Sequence, residues 1–282
     1  MTRHLAVLGS PIEHSKSPSI HSAAYRTLQL NWDYSKLDIS ANHLLQFLET
    51  LDSDWLGLSL TMPLKEEAAR VASEKSNLVL ATGVANTLLK TTGGWAAHNT
   101  DVFGIQRAVQ GVVDFTPKTV AIIGSGATAT SAVFAVAEIY GSAKITVFAR
   151  NTDAAAELKQ RAKASSIDVR VKGFKALTKA LTGFDLVIST LPSGALDVAA
   201  IKLRRSIFSK PKGVLLDVAY HPWPSEAAKT WAHTKLTCIS GIEMLIWQAI
   251  AQIRIFNHND MSVELPNERA VELAMRHSLG LI

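Results

Sequence analysis

Val120-Ala121-Ile122-Ile123-Gly124-Ser125-Gly126-Ala127-Thr128-Ala129 is a short β-branched apolar run that breaks into a G-x-G-x-x-A turn. The run is too short for a helix and suits a strand buried on both faces. Gly124 allows a sharp turn, Gly126 lets a pyrophosphate approach the main chain, and Ala129 keeps the following helix close to the strand. A helix over about 127–140 then aims its N-terminal amides at that pyrophosphate through Ala127, Thr128 and Ala129. The next strand, Lys144–Phe148, ends at Ala149-Arg150-Asn151, so Arg150 lies 26 positions (150 − 124) beyond the first glycine. An NAD-selective unit presents an acid about there for the ribose 2′-hydroxyl. A guanidinium suits a 2′-phosphate instead, which favours NADP over NAD as the cofactor, although Asp153 is close by.

Working outward from this unit, strand and helix alternate in both directions. Strand patterns recur at 145–148, 169–171, 186–188 and 214–216 on the C-terminal side. On the N-terminal side, Leu5–Leu8, Trp32–Ile39 and Leu56–Leu60 read as strands, with helices over about 18–30 and 44–50 between them. The rhythm breaks where Val84–Lys90 and Trp95–His98 flank Thr91-Thr92-Gly93-Gly94, a hairpin composition. A linking helix follows Asp101, and helical periodicity returns over 241–256 and 264–279. The fold class expected is α/β in two domains with a boundary near residue 102: an open α/β domain before it and a Rossmann-type NADP-binding domain after it.

The chain has 282 residues, 48% hydrophobic and 19% charged, the range of a folded globular protein. No run of about 18 apolar residues and no signal-like N-terminus stands out, so the expectation is a cytoplasmic protein away from membranes. The only cysteine, Cys238, excludes an intrachain disulfide and a cysteine-based metal cluster; among Leu236, Ile239 and Ile242 it reads as a small buried hydrophobe. Net charge is +5, but the cations are scattered without interleaved aromatics, which argues against nucleic acid and suits small anions.

Three polar clusters fall at expected strand ends, where open α/β sheets hold ligands. Ser15-Lys16-Ser17-Pro18 offers hydroxyls and amides at a helix start, with Ser17 as a possible plain N-cap. Ser59-Leu60-Thr61-Met62-Pro63-Leu64-Lys65 is the second; Asn86-Thr87 with Asn99-Thr100-Asp101 is the third. A lone lysine is usually a solvated charge. Lys65 gains meaning because reducing a ketone needs a proton donor beside the hydride path, and an ammonium held near Asp101 could serve.

These clusters, together with Gly9-Ser10-Pro11-Ile12, Gly83-Val84-Ala85-Asn86-Thr87, Asn99-Thr100-Asp101-x-x-Gly104 and Gly241-x-x-Met244-Leu245-x-x-Gln248-Ala249, resemble the shikimate dehydrogenase family over nearly the whole chain. The resemblance implies reversible, NADPH-dependent reduction of 3-dehydroshikimate in aromatic amino-acid biosynthesis. It implies that Ser15 and Ser17 bind the substrate carboxylate and that Asn86, Asp101 and Gln248 hold ring hydroxyls. Lys65, paired with Asp101, is the implied proton donor and acceptor. Ser59 and Thr61 join the substrate set, as does Tyr220, in Asp217-Val218-Ala219-Tyr220-x-Pro222; Gly241 joins the cofactor set. The final helices are implied to return to the first domain, which makes residues 1–102 with 240–282 the substrate domain and 103–239 the NADP-binding domain; a monomer or a homodimer is expected.

The chain departs from the family pattern in four places. Ser59 stands where Asn is common, Ala127 and Thr130 replace a glycine and an arginine of the phosphate loop, Ala149-Arg150-Asn151 replaces Asn-Arg-Thr, and Ser189-Thr190-Leu191 replaces Asn-Ala-Thr. An NAD-preferring quinate/shikimate dehydrogenase and a non-catalytic cofactor-binding paralogue are the alternatives these changes leave open.

Overall fold

A computed structural model describes residues 1–206 and 209–282. The chain divides into two compact units, Met1–Thr100 with Leu245–Ile282, and Asp101–Met244.

The first unit contains β1 (Arg3–Gly9), α1 (Ser17–Thr27), β2 (Trp32–Asp38), α2 (Leu44–Thr50), β3 (Trp55–Leu60), α3 (Lys65–Val71), β4 (Glu74–Lys75), α4 (Asn77–Thr82), β5 (Thr87–Thr91) and β6 (Gly94–His98). Its sheet runs β2-β1-β3-β5-β6-β4. The first three strands are parallel, because each is joined to the next by a helical crossover. β5 then pairs antiparallel with β3, and antiparallel with β6 across the Thr92-Gly93 turn. Thr87 therefore stands opposite both Ser59 and His98. The start of β5 and the end of β6 thus share one edge with the C-terminal end of β3.

The second unit contains α5 (Asp101–Gln110), β7 (Thr119–Ile123), α6 (Ala127–Ile139), β8 (Lys144–Ala149), α7 (Thr152–Ala164), β9 (Val169–Gly173), α8 (Leu177–Ala180), β10 (Leu186–Ser189), α9 (Asp197–Arg205), β11 (Val214–Asp217), α10 (Glu226–His233) and β12 (Cys238–Ser240). Every pair in its sheet, β12-β11-β10-β7-β8-β9, is parallel. Counted from β7 this is the doubly wound Rossmann order, with its switch point between β7 and β10. Val120–Ile123 and Leu186–Ile188 are fully buried, which explains why they are continuous apolar runs without alternation.

α11 (Gly241–His258) opens in the second unit and continues into the first, and α12 (Glu268–Ser278) follows it and packs on α1. Ile246, Ala249, Ile250, Ala251 and Ile253 are all fully buried, so α11 is a core helix of the first unit. The one cation in this stretch, Arg254, is buried and donates Nε to Glu268 at 2.7 Å, tying α11 to α12.

The structure differs from the sequence expectation where elements are short or locally capped. The expected strand from Val84 begins only at Thr87, since Gly83, at φ +67°, first ends α4. α12 starts at Glu268 rather than 264, because Pro266 holds Leu265 out of helical geometry. Ser17 is the first helical residue of α1 rather than its cap; Ser15 Oγ accepts from the Ser17 N–H at 3.3 Å. Cys238 is only partly buried in β12; desolvation, then Asp217, pushes its thiol up to about 12.

Candidate functional site

In the first unit the polar residues collect where β1, β3, β5 and β6 end or begin. Thr61 N–H donates to Leu8 O at 2.9 Å and Ser10 N–H to Met62 O at 3.0 Å, which stitches the segments after β1 and β3 together. Asn86, just before β5, is 2% exposed. Its Oδ1 accepts from Thr100 N–H at 2.8 Å, and its Nδ2 donates to Thr100 Oγ1 at 2.9 Å and to Gln248 Oε1 at 3.3 Å. Gln248 Nε2 donates to Leu245 O at 2.9 Å within α11. Three sequence-distant candidates, Asn86, Thr100 and Gln248, thus form one buried amide–hydroxyl cluster.

Lys65 is the first residue of α3, and its carbonyl accepts from Ala85 N–H at 2.9 Å, anchoring it to the segment that carries Asn86. An ammonium in a first helical turn faces the positive end of the helix, and Glu66 and Glu67 beside it offset that cost. Lys65 is buried to 9% exposure, unusual for a lysine without a task.

Ser59 is placed differently from a ligand-facing side chain. Its hydroxyl accepts from Tyr34 Oη at 2.6 Å and donates to Gln252 Oε1 at 2.8 Å. Gln252, one turn beyond Gln248, donates Nε2 to Asn86 O and to Thr87 Oγ1, both at 3.0 Å. The His21 ring stacks on Tyr34 at 4.0 Å between centroids. Sequence reasoning missed Tyr34 and Gln252. The available signal was a pair of glutamines four residues apart in an otherwise apolar helix.

In the second unit the glycine loop leaves β7 at the switch point. Gly124 has φ +122°, and a Cβ there would overlap Thr190 Oγ1, itself fixed by donating to Ile123 O at 2.9 Å. At Gly126, the N-cap of α6, a Cβ would meet nothing within 4 Å, leaving the open approach to the main chain that a pyrophosphate needs. Ala127 and Thr128 form the first turn of α6, and Ala129 is fully buried behind it. Thr130 Oγ1 turns back onto Gly126 O at 3.4 Å.

Arg150 is exposed directly after β8, its guanidinium 5.6 Å from the Phe174 ring centre. Asn151 caps α7 by accepting from the Asp153 and Ala154 N–H groups, which places Asp153 in the first turn of that helix. The set fits a 2′-phosphorylated dinucleotide: an open glycine cap for the pyrophosphate and a ring-stacked cation for the phosphate.

Asp101 is the first residue of α5 and 3% exposed. At the end of β11, Asp217 accepts from Ser225 Oγ at 2.6 Å, and burial pushes its carboxyl above the usual range. That bond pins the segment carrying the half-buried Tyr220. Gly241 packs main chain to main chain: a Cβ there would overlap Val218 O and stand 3.0 Å from Asp217 O.

A Rossmann sheet with an open glycine cap and a cation at its second strand end, joined to an α/β unit with a buried polar rim, defines a nucleotide-dependent two-unit protein of the dehydrogenase class. Residues 7–88 match the shikimate dehydrogenase substrate binding domain, and residues 94–235 match the alanine dehydrogenase/PNT C-terminal domain. The chain is 35% identical to the shikimate dehydrogenase of Mycobacterium tuberculosis, with a TM-score of 0.84 and 98% of this chain and 99% of that one covered. A shikimate 5-dehydrogenase of Mycobacterium fortuitum is 36% identical, with a TM-score of 0.79 over 97% and 98% of the two chains. The shikimate dehydrogenase (NADP(+)) of Ignicoccus hospitalis is 29% identical over 251 residues, 89% of this chain and 92% of that one. The chain belongs to the shikimate dehydrogenase family.

Proposed function

We propose that this protein is an NADP-dependent oxidoreductase interconverting 3-dehydroshikimate and shikimate, a step of aromatic amino-acid biosynthesis. The observation that carries the reading is the buried Asn86–Thr100–Gln248 cluster on the strand-end rim to which Lys65 is anchored. Relatives named shikimate dehydrogenase (NADP(+)) support it.

When bound, NADPH supplies the hydride that reduces the substrate's ketone. Gly124, Gly126, Ala127, Thr128 and Ala129 are proposed to hold its pyrophosphate, Arg150 its 2′-phosphate, and Gly241 to border the same site. The Lys65 ammonium gives a proton to the carbonyl oxygen as it becomes an alcohol, and the neutral amine takes it back in the oxidative direction. Asn86, Asp101 and Gln248 hold ring hydroxyls, and Ser15, Ser17, Thr61 and Tyr220 surround the carboxylate end. The substrate domain is proposed as residues 1–102 with 240–282, and the cofactor domain as 103–239. Among the described residues no helix is long and apolar enough to cross a membrane. We place the enzyme in the cytoplasm as a monomer or homodimer, which light scattering distinguishes.

Initial rates with shikimate and with quinate, each with NADP and with NAD, test the assignment. Shikimate with NADP is expected to be fastest; absence of shikimate-dependent NADP reduction by protein that binds the cofactor would refute it. Lys65→Ala is expected to lower kcat by about 100-fold or more while leaving NADP binding intact.

A further inference from the structure

We infer that Tyr34 and Ser59 are positioning residues: through Gln252 they hold the segment carrying Asn86 and the face of α11 carrying Gln248 in one hydrogen-bond chain of fixed polarity, without either needing to touch substrate. The inference rests on the proposed shikimate activity and deepens it.

The polarity follows from one group whose role cannot change. The carbonyl of Asn86 only accepts, so the atom of Gln252 facing it at 3.0 Å is the amide nitrogen. The Gln252 oxygen therefore faces Ser59, and since that oxygen only accepts, Ser59 spends its single proton on it at 2.8 Å. Ser59 is left to accept, which obliges Tyr34 to donate at 2.6 Å. With its own proton spent on Ser59, the Tyr34 oxygen can only accept.

Gln252 Nε2 also donates to Thr87 Oγ1 at 3.0 Å, and Thr87 in turn donates to Asn86 Oδ1 at 3.0 Å. Together with the Thr100 N–H, which donates to the same oxygen at 2.8 Å, this fixes which end of the Asn86 amide faces Gln248, so that Asn86 Nδ2 meets Gln248 Oε1. Tyr34, Ser59, Asn86, Thr87, Gln248 and Gln252 are each less than 10% exposed, so water is poorly placed to repair a broken link. The His21 ring, stacked on Tyr34, holds the phenol in place.

The departure of Ser59 from asparagine thus becomes intelligible. A hydroxyl is the right length and valence to stand between a phenol that must give and an amide oxygen that must receive.

The test is steady-state kinetics and thermal unfolding of the full chain carrying Tyr34→Phe, Ser59→Ala, both together, and Ser59→Thr. Each of the first two is expected to raise the KM for shikimate about tenfold with the KM for NADP unchanged. A chain broken once is already broken, so the double variant should be little worse than the poorer single one. Ser59→Thr keeps the hydroxyl and should restore KM to within about twofold of wild type. Multiplicative single effects, or a threonine variant as impaired as the alanine one, would show that these side chains serve packing alone and overturn the relay. An active wild type whose KM ignores all four changes overturns the relay and spares the activity. A wild type with no shikimate turnover overturns the activity and the relay with it.

Discussion

Gly124 and Thr190 lie so close across the β7–β10 switch point that the glycine has no room for a methyl group: a Cβ would overlap the threonine hydroxyl. Gly124→Ala also forces an L side chain to φ +122°, at a cost of about 1–3 kcal/mol. Adding Thr190→Ala should relieve the overlap and leave the backbone strain. Urea unfolding of the single and double variants should therefore show partial recovery of stability; full recovery would mean that the overlap was the whole cost.

Gly126 and Gly241 make opposite predictions. Gly126 is open to solvent, so Gly126→Ala should change stability by no more than about 1 kcal/mol, the loss of a good N-cap residue. NADP affinity, read by fluorescence titration, should nevertheless fall. Gly241→Ala pushes a Cβ into the Val218 carbonyl, which as backbone cannot rotate away. It should lower the melting temperature far more than Gly126→Ala does.

Arg150 tests cofactor choice. Arg150→Gln removes the cation over Phe174 and should raise the KM for NADP by about 10- to 100-fold, the worth of charge-assisted bonds to a phosphate. The KM for NAD, which has no such phosphate, should barely move. Equal losses with both cofactors would remove Arg150 from the 2′-phosphate.

His21 sets an acid limit on stability. Burial lowers its pKa from 6.5 to about 3, with Gln252 opposing the shift. Between those values the unfolded chain binds the proton and the folded chain does not. This contribution is complete above pH 6.5 and is lost as pH falls, with a slope approaching about 1.4 kcal/mol per pH unit. His21→Phe keeps a ring over Tyr34 without the titration. Unfolding measured from pH 7 to pH 4 should be less steep in that variant by about one proton.

The cofactor unit was legible because its information is local: strand, glycine turn and helix follow one another within about twenty residues of sequence. β7 accordingly runs from Thr119 to Ile123, as its apolar run indicates. β4 has only two residues, Glu74 and Lys75, and exists through pairing with Ala96 and Ala97. No periodicity can announce such a strand. Ser59 and Gln252 are 193 positions apart and meet only because β3 and α11 pack in one core. Their link depends on tertiary structure, so the sequence showed a serine out of pattern without showing its partner. Gly241 was assigned to the cofactor by resemblance, and the geometry adds a second reason for a glycine, the approach of two main chains.

The β5–β6 hairpin is closed at one end by its turn and at the other by the Asn86–Thr100 bonds. Those bonds exist only while Thr87 faces His98. A slip of one residue would turn every side chain of one strand to the opposite face. The accuracy of this rim is therefore inherited from strand alignment: it is set when the sheet zips, before any ligand arrives, and it persists for as long as that alignment does.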